Sequence, residues 1–181
     1  MSAYRLSITA EQAATVQGGH PGSEAEGGVI WGDVIVEATW EGEVVWKWAA
    51  IDHLDPADAV LDSHYAREHW PMANTVNETD DGDLIVGFRS SSTAIRIDRS
   101  DDSVAWTLGK PSLSQQHYPH VLPSGNVLAF DNGSFRDGIS VPYSRAVEID
   151  PATGEEVWTY VDNPPQNFYS PYMGSAQRLP N

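Results

Sequence analysis

From Val29 onward apolar and polar residues alternate with a period of two, in short runs broken by turn residues. Ala94-Ile95-Arg96-Ile97-Asp98 and Ala146-Val147-Glu148-Ile149-Asp150 are two such runs. Alternation of this kind, with turn signals between the runs, predicts β-strands. Each of these runs leads into an acidic or Gly-containing turn, Ser100-Asp101-Asp102 or Pro151-Ala152-Thr153-Gly154. Each turn leads into a strand that carries a tryptophan: Ser103-Val104-Ala105-Trp106-Thr107-Leu108, and Glu155-Glu156-Val157-Trp158-Thr159-Tyr160. An earlier copy follows the weaker alternation Val34–Trp40 and the turn Glu41-Gly42, and reads Glu43-Val44-Val45-Trp46-Lys47-Trp48.

A second phrase is also repeated. Asn74–Arg89 reads strand, turn at Asp81-Gly82, strand; His120–Asp131 repeats it with the turn at Ser124-Gly125. Asp-Gly and Ser-Gly are hairpin chemistry, because the glycine tolerates positive φ. A third copy begins at Ala176-Gln177-Arg178-Leu179-Pro180-Asn181 and stops where the turn is due. The two phrases together make one four-stranded unit, recurring at roughly 50–60 residues, the period of propeller blades. The expectation is an all-β chain of about three to four β-propeller blades, of a typical four to eight. It is expected to be an open arc and a piece of a longer repeat protein, with an irregular N-terminal segment at 1–28 and the partial propeller at 29–181. An open blade edge predicts self-association.

Two stretches fall outside this pattern. Residues 1–28 carry weak periodicity, with Ile8–Ala14 readable as a short helix or as a strand and turn. Asp52–Trp70 reads as an excursion, with a short helix around Pro56–Val60 capped by Asp55.

Composition narrows the function classes. Lys and Arg number 10 against 26 Asp and Glu, for a net charge of −16 over 181 residues. Nucleic acid and anionic membrane surfaces both need a basic face, so neither is an expected partner. There is no Cys, which excludes disulfides, thiolate metal sites and thiol nucleophiles. No apolar run approaches the length of a membrane-spanning helix, and Met1–His20 lacks the basic start and apolar centre of a secretory signal. The compartment stays open.

Two residues stand out as chemistry. His117, in Gln116-His117-Tyr118-Pro119-His120, opens a strand that would line the axial channel of a propeller. Arg89 ends the apolar strand Leu84–Phe88 and precedes Ser90-Ser91-Ser92-Thr93, a setting that suits anion binding. Asp131-Asn132-Gly133 and Tyr143-Ser144-Arg145 form a similar pair at strand ends, the first reading as a turn. His64 and His69 do not have metal-ligand spacing, and neither a phosphate loop nor a nucleophile-elbow serine is present.

An ordered set of motifs carries a resemblance: Pro71-Met72-Ala73-Asn74-Thr75-Val76, Gly87-Phe88-Arg89-Ser90-Ser91-Ser92, Val104-Ala105-Trp106-Thr107-Leu108-Gly109, Gln116–His120, Leu128-Ala129-Phe130-Asp131-Asn132-Gly133, Ser144-Arg145 and Gly174–Asn181. Over residues 29–181 the chain resembles the arylsulfotransferase family that uses no nucleotide sulfate donor. The resemblance implies a six-bladed propeller that moves a sulfuryl group from a phenolic sulfate ester to a phenol through a sulfated histidine. It implies His117 as the nucleophile, Arg89 as the sulfate-binding arginine, and Asn74, His120 and Arg145 at the substrate, with no metal and no cofactor. Met72 stands where the family motif carries a histidine, and His20 is the only candidate for a further upstream one. With Met72 unable to donate a proton, His120, Tyr118 or His69 is left to protonate the leaving phenolate. The partners implied are a small aryl sulfate and a phenol, and the family is often exported or periplasmic. The alternative reading is a non-catalytic propeller that serves as a binding or interaction module.

Overall fold

A computed structural model describes residues 2–179; Met1, Pro180 and Asn181 lie outside the described residues, and with them the end of the third copy of the second phrase. The strands are β1 (Ser2–Ser7), β2 (Gly18–His20), β3 (Trp31–Ala38), β4 (Val44–Ala49), β5 (Leu61–Ala66), β6 (His69–Trp70), β7 (Ala73–Glu78), β8 (Leu84–Phe88), β9 (Thr93–Ile97), β10 (Val104–Leu108), β11 (His117–Val121), β12 (Val127–Asp131), β13 (Arg145–Ile149) and β14 (Glu156–Tyr160). Among the described residues two short α-helices, α1 (Ala10–Thr15) and α2 (Ala50–His53), and two 3-10 turns, Glu26–Gly28 and Pro165–Asn167, interrupt them. The chain is all-β. Its contacts divide it into two units, residues 1–73 and 74–181.

The second unit holds two four-stranded meanders, ordered β10-β9-β8-β7 and β11-β12-β13-β14. Such a four-stranded meander is the building block of a propeller. Every residue of β8 and of β12 is buried, so these strands are covered on both faces. One apolar core joins Ala94 and Leu108 of the first sheet, with Leu113 after it, to Val127, Ala129, Val147 and Ile149 of the second. Trp106 and Val121 pack against it.

In the first unit, β1, β3 and β4 form an antiparallel sheet, and β6 adds to β3 in parallel at Trp31 and Gly32. β2 and β5 form a separate parallel pair. Residues 1–28 thus contain two strands and a helix, more order than their weak periodicity predicts. Thr9 starts α1 with a capping box shared with Gln12. The helix expected around Pro56–Val60 is a single turn instead. The Asp55 carboxylate caps the Ala57 N–H at 2.8 Å, and the Asp55 carbonyl accepts from Asp58 and Ala59, but no helix continues. The neighbouring helix, α2, sits earlier, where Trp48 stacks on His53 at 4.8 Å.

The repeat is visible in the register. Trp46 lies opposite Glu37, Trp106 opposite Arg96 and Trp158 opposite Glu148, each on the last strand of its sheet. In all three a one-residue register slip adjoins the tryptophan pair. The three side chains therefore occupy equivalent positions. The hairpins of the second phrase also close alike. Thr79 N–H bonds Asp83 at 2.9 Å and Leu122 N–H bonds Asn126 at 2.8 Å, with Gly82 at φ 91° and Gly125 at φ 89°. Both glycines face open space, so the backbone conformation alone demands them.

Two substitutions separate turn geometry from surface composition. Gly125→Ala forces a left-handed alanine and should lower unfolding free energy in urea by about 1–2 kcal/mol. Val157→Ala, on an exposed position of β14, should change it by less than about 0.5 kcal/mol. Equal costs would contradict this account of the hairpin.

Candidate active site

His117 sits at the first position of β11, half-buried. β11 carries a bulge, since His117 pairs with Phe130 and His120 with Leu128, so three steps on one strand match two on the other. Tyr118 inside the bulge has φ 54°, an unfavourable conformation for a bulky residue. Side chains of β7 hold it there. Asn74 donates to the Gln116 carbonyl at 2.8 Å, Thr75 accepts from the Tyr118 N–H at 3.0 Å, and Asn77 donates to the Pro119 carbonyl at 2.8 Å. Gly87 lets Pro119 approach, since a Cβ there would fall 3.1 Å from the proline ring.

The bulge aims His117 at Asn132, just past the end of β12. His117 Nδ1 lies 2.8 Å from Asn132 Oδ1. Asn132 is fully buried, and its Nδ2 donates to the carbonyls of Ser170 and Met173, both at 2.8 Å. Carbonyls only accept, so nitrogen must face them and oxygen must face the imidazole. Nδ1 of His117 therefore carries the proton, and the lone pair of the neutral ring is on Nε2. Burial pushes the His117 pKa below the ordinary imidazole value; the bonds to Asn132 and the Gln115 backbone oppose the shift, and the charge of Arg89 adds to it.

Arg89 follows β8. Its Nη2 donates to the Pro171 carbonyl at 3.2 Å, and its guanidinium lies 5.9 Å from the centre of the Tyr172 ring. Residues 168–174 thus form a strap gripped by both Arg89 and Asn132. Ser144 adds two further bonds, accepting from the Ser170 N–H at 2.9 Å and donating to its carbonyl at 3.2 Å. The second unit therefore holds an imidazole with a defined bare nitrogen, and the guanidinium of Arg89 meets the same strap that anchors the imidazole's partner Asn132.

A profile described as arylsulfotransferase (ASST) matches residues 5–181, nearly the whole chain. The chain belongs to the arylsulfotransferase family. No curated protein matches it. A crystal structure of a protein of unknown function from Bacteroides caccae overlays with a TM-score of 0.46 at 16% identity, over 75% of this chain and 42% of that one. The arylsulfotransferase-family chain thus spans less than half the length of that protein.

The remaining candidate residues lie in different settings. Arg145 donates to Asp131 at 2.7 Å, to both oxygens of Glu156 and to the Ser112 carbonyl. Asp131, fully buried, also accepts from Arg136 at 2.9 Å and from the Ser114 N–H at 2.8 Å. Adjacent residues at the end of β12 thus have opposite duties: Asp131 anchors the loops around the site, and Asn132 orients His117. Asn74 works on the backbone of β11. His120 tilts against Tyr118 at 5.1 Å and lines a cavity of about 520 Å³ at the turns after β7 and β11, among Glu78, Asp81, Arg96 and Leu122. In the first unit, His69 is buried against Asp33 at 2.8 Å, and Asp33 also accepts from the Ala73 N–H. Among the described residues no cluster of His, Cys, Asp or Glu could hold a metal ion.

Asn132 is the residue that sequence reading passes over, because Asp-Asn-Gly is ordinary turn chemistry. Its signal is its place in the Leu128–Gly133 motif. Asp131→Asn would leave two half-buried guanidinium groups short of their shared carboxylate, and should cost about 2–3 kcal/mol in thermal or urea unfolding. A variant within about 1 kcal/mol of the parent would show that the network is not what anchors these loops.

Proposed function

We propose that the chain carries part of a sulfotransferase that moves a sulfuryl group from a phenolic sulfate ester to a phenol through N-sulfated His117. The observation that carries this reading is the chain from His117 through Asn132 to the strap carbonyls, which leaves Nε2 bare on a ring kept neutral. Nε2 attacks sulfur, the N–S bond forms, and the S–O bond to the aryl group breaks. The departing phenolate takes up a proton. In the second half the acceptor phenol loses its proton, its oxygen attacks sulfur, and the N–S bond breaks. Splitting one difficult transfer in two is the gain from a covalent intermediate. Arg89 stabilises the charge on the sulfuryl oxygens. Asn132 accepts from Nδ1–H throughout, which supports the ring as it becomes positive on sulfation. Asn74 and Arg145 act through the backbone of β11 and through Asp131, and His120 remains a candidate at the substrate.

A second reading, a non-catalytic binding module, is favoured by Met72 in place of the family histidine. Labelled aryl sulfate separates the two. The transferase should form an acid-labile label on His117 without acceptor, show ping-pong kinetics with it, and lose both in His117→Ala. Arg89→Ala should slow transfer on the order of 10²–10³-fold. The absence of any label, in the parent and in Met72→His alike, favours the binding module.

The pH dependence has a definite sign. Only the neutral ring attacks, so the rate rises as pH passes upward through the His117 pKa and then levels. That pKa is held below the ordinary value of about 6.5, so the rise should lie on the acid side of it. A rise above the ordinary imidazole value in the parent would contradict the assignment.

A further inference from the structure

The strap holds an aromatic ring in an unusual way. Tyr172 is 67% exposed, yet its backbone is fixed on both sides. The Ser170 carbonyl accepts from Asn132 and Ser144, the Pro171 carbonyl from Arg89, the Tyr172 carbonyl from Ser170 Oγ at 2.7 Å, and the Met173 carbonyl from Asn132. Four successive carbonyls are thus bonded by side chains, in a segment without strand pairing. Met173 is held at φ 57°, and the next residue, Gly174, lies so close to Phe130 that a Cβ there would fall 2.7 Å from the ring. A left-handed methionine persists only where its surroundings impose it, and such imposed strain gathers at functional sites. A lone exposed aromatic residue needs no explanation. An exposed ring on a fully anchored backbone, beside the site arginine, is preorganised to receive something flat.

We propose that Tyr172 is the residue that reads the aromatic group of the sulfate ester. The ring of the ester packs edge-on against Tyr172 while its sulfate meets Arg89, whose guanidinium lies over the Tyr172 ring, 5.9 Å from its centre. One face of the site thereby matches both ends of an aryl sulfate: charge for the anion, a rigid π-surface for the ring. This assignment rests on the transfer reading for the identity of the ligand, but it concerns recognition and is testable without turnover. Tyr172 is a specificity residue, and its hydroxyl is not required for it.

The test is calorimetric titration of the parent, Tyr172→Phe and Tyr172→Ala with phenyl sulfate and with methyl sulfate. The parent should prefer phenyl sulfate by about tenfold, the scale of one good aromatic contact. Tyr172→Phe should keep that preference. Tyr172→Ala should bring it close to one by lowering phenyl sulfate affinity about tenfold more than methyl sulfate affinity. A phenyl preference that survives in Tyr172→Ala overturns the proposal, as does a parent with no preference. So does an equal loss for both ligands in Tyr172→Ala, the mark of a merely structural ring. Loss of the preference in a protein that transfers nothing upholds this proposal and defeats the transferase reading. Transfer with an unchanged preference in Tyr172→Ala does the reverse.

Discussion

The site depends on the orientation of one buried amide. Asn132 can face His117 with oxygen or with nitrogen, and two backbone carbonyls, those of Ser170 and Met173, decide between them. Because the amide is fully buried, the reversed orientation would set its oxygen against two carbonyl oxygens. That constraint fixes the tautomer of His117, and the tautomer leaves the ring's lone pair on Nε2. The same amide holds the strap that carries Tyr172, so the orientation of the His117 ring and the placement of Tyr172 have one common cause.

The scaffold serves this amide from several directions. β7 lends three side chains to the bulge that presents His117. Asp131 draws Arg136, Arg145 and the Ser114 backbone together at the end of β12, which fixes the point from which Asn132 extends. A buried carboxylate between two guanidinium groups is costly to break and limits the movement of the loops it joins. Ser144 and Ser134 then tie the loop after Asn132 to the strap, the latter through Tyr169 at 3.1 Å.

The hairpins and their tryptophans were legible in the sequence because period-two alternation and turn glycines are local properties. The equivalent registers of Trp46, Trp106 and Trp158 follow from the repeated strand-turn-strand phrase. The parallel pairs of the first unit were not legible: β2 has three residues and β6 has two, too few to show any period, and distant partners create them. Asp55 gives both a helix cap and a turn, and only packing selects the turn. In the candidate site, His117 and Arg89 were picked out by the ordered motifs. Asn132 was not, since its meaning lies in carbonyls 38 and 41 residues further along the chain. Arg145 looked like an anion ligand because sequence cannot show that Asp131 and Glu156 already engage it.

The most direct test of this account is nitrogen NMR on protein labelled in its histidine rings, with His117 assigned by its loss in His117→Gln. At neutral pH the account predicts a neutral His117 ring with the proton on Nδ1 and a bare Nε2, and loss of that fixed tautomer in Asn132→Leu. A ring protonated on Nε2, or charged at neutral pH, would contradict it.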